Sequence, residues 1–143
     1  MKNSIIADTG FWYALLNRDD YFYEQAVKVL NQIKNPLICT WPVITETSYL
    51  LQSRIGQKEA CEFLNAHNEG LYQIYDLSAK QMSRMVALMY KYADLPMDLA
   101  DASLVILAEE LGHGRILSTD LRDFKTYRWK NHKPFQNLLL PDS

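Results

Sequence analysis

Apolar positions fall along the chain in short blocks, some continuous like buried strands and others spaced like helices. Residues 4–7 form a brief apolar run closed by Asp8-Thr9-Gly10, the pattern of a buried parallel strand ending in a turn. Residues 11–16 are apolar enough for a short helix, which Asn17-Arg18-Asp19-Asp20 breaks. Over residues 21–33, Ala26, Val27, Leu30 and Ile33 recur at helical spacing. Asn35-Pro36 stops that helix, because the residue before a proline is pushed out of the α region. Residues 37–41 predict a second strand, and Pro42 suits the first turn of a helix carrying Glu46. Gly56 separates this helix from an amphipathic segment over 57–65, and residues 71–75 alternate as a third strand. Ser78 caps a helical run to Tyr92, with Met82, Met85, Val86 and Met89 on its inner face. The next helix opens with Asp98 and Asp101 and then turns apolar through Ala108. After Gly112-His113-Gly114, residues 115–119 predict a strand that delivers Asp120, and residues 134–140 a last edge strand.

Strands separated by helices imply right-handed crossovers and a parallel sheet. The predicted fold is α/β, a three-layer sandwich whose mostly parallel central sheet is flanked by helices. With no repeat, low-complexity tract or linker, a single domain over residues 1–143 is expected. The formal charge of -2 supplies no global basic field, so a nucleic-acid partner needs a local patch or a metal to offset phosphate repulsion. Cys39 and Cys61 lack metal-like spacing and read as buried thiols of a reducing compartment. The apolar run at the N-terminus is too short for a signal peptide, and no stretch approaches the ~20 apolar residues of a membrane span. A cytoplasmic protein with no membrane association is expected.

The chemistry lies in the acids. Asp98 and Asp101 stand three apart, one turn apart on one helix face, where the positive end of the helix dipole favours them. Asp98 also suits an N-cap, with Asp101 reaching back in a capping box. Asp8 and Asp120 both close short apolar runs, so a parallel sheet puts both at its carboxyl edge, where sites of open α/β sheets form. Each of these alone also serves as a turn residue or helix cap. With Glu46 and Asp101, acids from four separate segments converge on one edge, and like charges that close call for a cation. Oxygen ligands without His or Cys suit Mg²⁺ or Mn²⁺, whose usual chemistry is attack on a phosphodiester by activated water.

Ile6-Ala7-Asp8-Thr9, Ile44-Thr45-Glu46, Leu99-Ala100-Asp101-Ala102-Ser103 and Leu117-Ser118-Thr119-Asp120, continued by Asp123-Phe124, resemble the four motifs of the PIN domain family, in the same order. The resemblance implies a metal-dependent ribonuclease, an endonuclease rather than an exonuclease, with Asp8, Glu46, Asp101 and Asp120 as its four acids. Asp8 and Asp101 match the direct ligands of Mg²⁺ or Mn²⁺. Thr9 and Thr119 match polar neighbours that orient water or a carboxylate, and Asp98 is an extra acid whose role is ligand, outer partner or N-cap. Small PIN proteins of this length resemble the toxins of VapBC-type toxin–antitoxin pairs. That implies a homodimer and a small antitoxin protein. An RNA-processing nuclease outside a toxin system and a non-catalytic interaction module are the alternatives. A phospho-acceptor domain is a poorer match, because Asp8-Thr9-Gly10 has no second Asp two residues on.

For the RNA substrate, Arg122, Lys125 and Arg128 follow Asp120 and are interleaved with Phe124, Tyr127 and Trp129, a mixture suited to phosphate contact and base stacking. The same pattern also describes a solvated basic face with its aromatics packed inward. His113 and His132 read as surface residues, not ligands. Phe11, Trp12, Tyr21, Phe22 and Tyr23 read as core, with a dimer face as the other reading.

Overall fold

The computed structural model describes residues 1–140; residues 141–143, the end of the expected domain, lie outside the described residues. The chain opens with β1 (Ile5–Ala7), α1 (Thr9–Leu16), α2 (Tyr23–Gln32) and β2 (Leu37–Thr40). It continues through α3 (Trp41–Arg54), α4 (Gln57–Asn68), β3 (Tyr72–Tyr75), a 3₁₀ turn at Ala79–Gln81 and α5 (Met82–Lys91). Then follow α6 (Leu99–Leu111), β4 (Arg115–Leu117) and α7 (Asp123–Thr126). A small antiparallel hairpin of β5 (Arg128–Trp129) and β6 (Lys133–Pro134) precedes the edge strand β7 (Gln136–Asn137). The main sheet runs β3-β2-β1-β4-β7, and every neighbouring pair in it is parallel. All residues of β1 and β2 are buried, so neither strand shows the in–out alternation of a sheet with one wet face. Helices cover both faces, and the expected three-layer α/β sandwich is what forms.

The chain starts in the middle of the sheet, builds β2 and β3 to one side, then returns to place β4 on the other side of β1. The strand order therefore reverses between β1 and β4, and a crevice forms outside their carboxyl ends. Beneath it α6 is the central helix. Nine of its thirteen residues are buried, it starts at the Asp98 cap, and it ends where Gly112 takes a left-handed φ of 79°. Elsewhere in the core, Trp12 of α1 is fully buried against Phe11, Phe63 and Tyr72, with ring centroids 4.9 to 5.4 Å away. Among the described residues no helix is long and apolar enough to cross a membrane.

Several expectations need correction, and the first is Tyr21, which reads as core but is 92% exposed. Trp41 begins α3 instead of ending β2. The run after Ser78 is a 3₁₀ turn followed by α5, and its buried face is Met85 and Leu88. Met82 and Val86 point outward, 56% and 44% exposed. Two helical stripes are apolar here, and only packing chooses between them. Cys39 is buried in β2, but Cys61 is exposed, because α4 turns Ala60 and Phe63 inward instead. Finally, Phe124, Tyr127 and Trp129 are buried, so the aromatics among the basic residues pack inward.

Candidate active site

Each acid reaches the crevice from the end of a different element. Asp8 follows β1 directly and caps α1, its Oδ1 accepting from the Phe11 N–H at 2.9 Å. Its backbone N–H donates to the Leu117 carbonyl at 3.2 Å, which ties the end of β1 to the end of β4. Glu46 projects from the first half of α3. Asp98 and Asp101 form a reciprocal capping box: Asp98 Oδ1 accepts from the Asp101 N–H at 2.8 Å, and Asp101 Oδ2 from the Asp98 N–H at 3.4 Å. Asp120 follows β4, and its Oδ1 accepts from the Asp123 N–H at 2.9 Å. Asp8, Glu46, Asp98, Asp101, Asp120 and Asp123 thus line one cleft of about 450 Å³, together with Thr9 and Thr119. Asp98 is therefore both a helix cap and a wall of the cleft.

Several positioning contacts were not read from the sequence. Ser118 Oγ donates to Asp8 Oδ2 and accepts from the Asp120 N–H at 2.9 Å, so one hydroxyl holds two of the acids. Ser118 is held in turn by Asn137 on the edge strand. Asn137 Oδ1 accepts from the Ser118 N–H at 3.2 Å, and Asn137 Nδ2 donates to the Ser118 carbonyl at 2.9 Å. The Tyr127 hydroxyl donates to Asp101 Oδ2 at 3.2 Å. Gly10 lets α1 approach the turn after β4: a Cβ there would lie 2.0 Å from Thr119 Oγ1. The signals were the Gly that follows Asp8-Thr9 and the Ser before Thr119, but only the fold shows what they touch.

The acids carry the electrostatic mark of confinement. Burial is the main cause that raises the Asp8 carboxyl to about 7; Asp120 and Glu46 add to this, while the Ser118 and Phe11 hydrogen bonds oppose it. Burial, then the Asp98 charge, raises Asp101 to about 8. Glu46 and Asp120 are also raised, mainly by burial. The Thr9 hydroxyl is buried and makes no hydrogen bond of ordinary geometry, though it lies close enough to Glu46 to favour its charged form.

This donor set fits a hard divalent cation. Among the described residues no three His, Cys, Asp or Glu side chains form a ready-made metal cage. Mg²⁺ does not ask for one, since it keeps several waters and takes one or two carboxylates. Burial raises Asp8 to about 7 and Asp101 to about 8, and a cation held nearby would favour the ionised form of each.

The profile of the PIN domain family matches residues 5–130, a span that contains all six acids of the cleft. The chain belongs to the PIN domain family. Ribonuclease VapC26 of Mycobacterium tuberculosis is 23% identical over 124 residues, 87% of this PIN domain chain and 92% of that protein. The crystal structure of Mycobacterium tuberculosis VapC20, described as a sarcin-ricin loop cleaving toxin, superposes with a TM-score of 0.76 at 20% identity. That match covers 82% of this chain and 90% of VapC20, a likeness of fold.

The basic residues sit at different distances from the PIN cleft. Arg122 borders it: its Nε donates to Asp123 Oδ1 at 2.9 Å and its Nη2 to the Leu95 carbonyl at 3.0 Å, with the side chain still mostly exposed. Lys125 lines a neighbouring pocket of about 260 Å³ that reaches Asp120. Arg128 is otherwise engaged, because its Nη1 donates to the carbonyls of Lys125, Thr126 and Tyr127 at the end of α7.

Proposed function

We propose that this PIN domain is a metal-dependent ribonuclease that cuts RNA phosphodiesters internally, as the toxin of a toxin–antitoxin pair. The observation that carries this reading is the convergence of Asp8, Glu46, Asp101 and Asp120 on one open cleft at the switch point of the sheet. The names of the related ribonuclease VapC26 and toxin VapC20 support it. Asp8 and Asp101 would hold Mg²⁺ or Mn²⁺, with Glu46 and Asp120 orienting water around it. When bound, such an ion supplies an activated water and offsets phosphate charge. Ser118 keeps Asp8 and Asp120 in register, and Tyr127 fixes the Asp101 carboxylate. An open cleft accepts a strand in mid-chain, which favours an endonuclease. Arg122 and Lys125, exposed beside the cleft, are suited to the flanking phosphates.

The assembly proposed is a homodimer that binds a small antitoxin protein. The outward stripe of Met82, Val86 and Tyr90 on α5 is an unpartnered apolar face consistent with such contacts. A cytoplasmic location follows from an RNA substrate and agrees with the exposed, unpaired Cys61 thiol. The test is incubation with single-stranded RNA in Mg²⁺, in Mn²⁺ and in EDTA. Cleavage is expected only with metal and should vanish when Asp8→Asn and Asp101→Asn are combined. Cleavage that persists in EDTA, or in that double variant, would overturn the reading.

A further inference from the structure

We infer that the groove between α3 and the start of α6 is a nucleobase-stacking subsite for the RNA strand threading the acid cleft, with Trp41 and Tyr49 as its platform. The inference deepens the ribonuclease reading and rests on it. The groove, about 610 Å³, is lined by Trp41, Pro42, Thr45, Tyr49 and Leu99, and it shares Glu46 and Asp98 with the acid cleft. Trp41, Thr45 and Tyr49 are four apart in sequence, so they fall in a line along one face of α3. Trp41 is 51% exposed and Tyr49 69%, so both rings present area to solvent beside the open acid cleft. The Trp41 ring is also preoriented. Its Nε1–H donates to Asp76 Oδ1 at 2.9 Å, a bond that uses an edge of the ring and no face.

Charge selects the occupant. Among the described residues no Lys or Arg lines this groove, and Glu46 and Asp98 border it, so a phosphate is repelled there. A neutral, flat base is not, and base–aromatic stacking needs no cation. The phosphate of the same nucleotide would lie in the adjoining cleft, whose acids a bound divalent ion would offset. A second copy of this chain is the poorer occupant, because a twofold contact centred here would bring Glu46 and Asp98 of both copies together.

The test measures binding of a short single-stranded RNA and of an abasic ribose-phosphate oligomer of equal length, in Ca²⁺ at fixed salt. Wild type, Trp41→Ala, Tyr49→Ala and Trp41→Phe are compared. Wild type should bind the base-bearing strand about tenfold more tightly than the abasic one. Trp41→Ala and Tyr49→Ala should each erase much of that preference while leaving abasic affinity unchanged, and Trp41→Phe should retain it. Circular dichroism confirms that each variant is folded, and Trp41→Phe guards against a purely structural effect of losing the ring. Equal loss for both oligomers, or no change in preference, overturns the subsite while leaving the nuclease reading intact. Conversion of a dimer to a monomer by Trp41→Ala in sedimentation overturns it in favour of a self-association face. Failure of wild type to bind either oligomer overturns both readings.

Discussion

Asp101→Asn isolates the energetic consequence of crowding acids in one cleft. Asn keeps the size of the side chain and an oxygen that can accept from the Tyr127 hydroxyl and the Asp98 N–H, so the substitution removes chiefly charge. In the metal-free protein the Asp101 carboxyl is raised to about 8 from an ordinary 3.8. A folded pKa above the unfolded one contributes stability that is fully present below pH 3.8 and is lost as pH rises through about 8. At pH 7 the folded carboxyl is mostly protonated, and the cost of taking up that proton is at most about 4 kcal/mol, counting 1.36 kcal/mol per pKa unit over the interval from 3.8 to 7. Solvent in the open cleft and the weaker hydrogen bonds of an amide reduce the net gain to about 1–2 kcal/mol. For a domain of 143 residues that corresponds to a rise in Tm of roughly 3–6 °C. Thermal melts of both proteins in EDTA from pH 4 to 8.5 measure it. The gap should be near zero at pH 4 and widest above pH 7. Added Mg²⁺ should raise the wild-type Tm, by about 2.7 kcal/mol of stability at a hundredfold excess over its Kd, and barely move the variant. A variant that melts below wild type at pH 7.5 in EDTA, or a gap independent of pH, would refute the account and return Asp101 to a plain helix-capping role.

Two further predictions concern packing and substrate contact. Gly10→Ala places a Cβ 2.0 Å from Thr119 Oγ1, so Thr119 in the turn after β4 must shift; a loss of about 1–3 kcal/mol in urea unfolding is expected, together with reduced cleavage. A variant as stable and active as wild type would show that this contact relaxes freely. Replacing Arg122 and Lys125 by Ala should lower the salt slope of RNA binding by about one unit each, whereas Arg128→Ala should mainly destabilise α7, by about 1 kcal/mol, and leave the slope unchanged. Salt-dependent binding isotherms and melts of the three variants separate the two effects.

Much of this protein was legible in one dimension because its signals are local. The short unbroken apolar runs before Asp8 and Thr40 already mean parallel strands covered on both sides, and β1 and β2 are buried throughout. Asp98-Leu99-Ala100-Asp101 specifies a capping box by spacing alone, and both of its hydrogen bonds form. Asp8 and Asp120 share an edge because β1 and β4 are parallel neighbours, and α3 and α6 bring Glu46 and Asp101 to the same cleft. Tertiary packing decided what local spacing left degenerate. Which of two apolar stripes on α5 turns inward depends on its neighbours, so Met82 and Val86 ended outside and Leu88 inside. Phe124, Tyr127 and Trp129 could equally have faced RNA or the core until α7 was seated, and Tyr127 then serves the site from within by holding Asp101. Ser118 and Asn137 are nineteen residues apart, and Ser118 is one hundred and ten from the Asp8 carboxylate it holds. Hydrogen bonds closed over such distances depend on the three-dimensional path of the chain, and the one-dimensional pattern carries no trace of them.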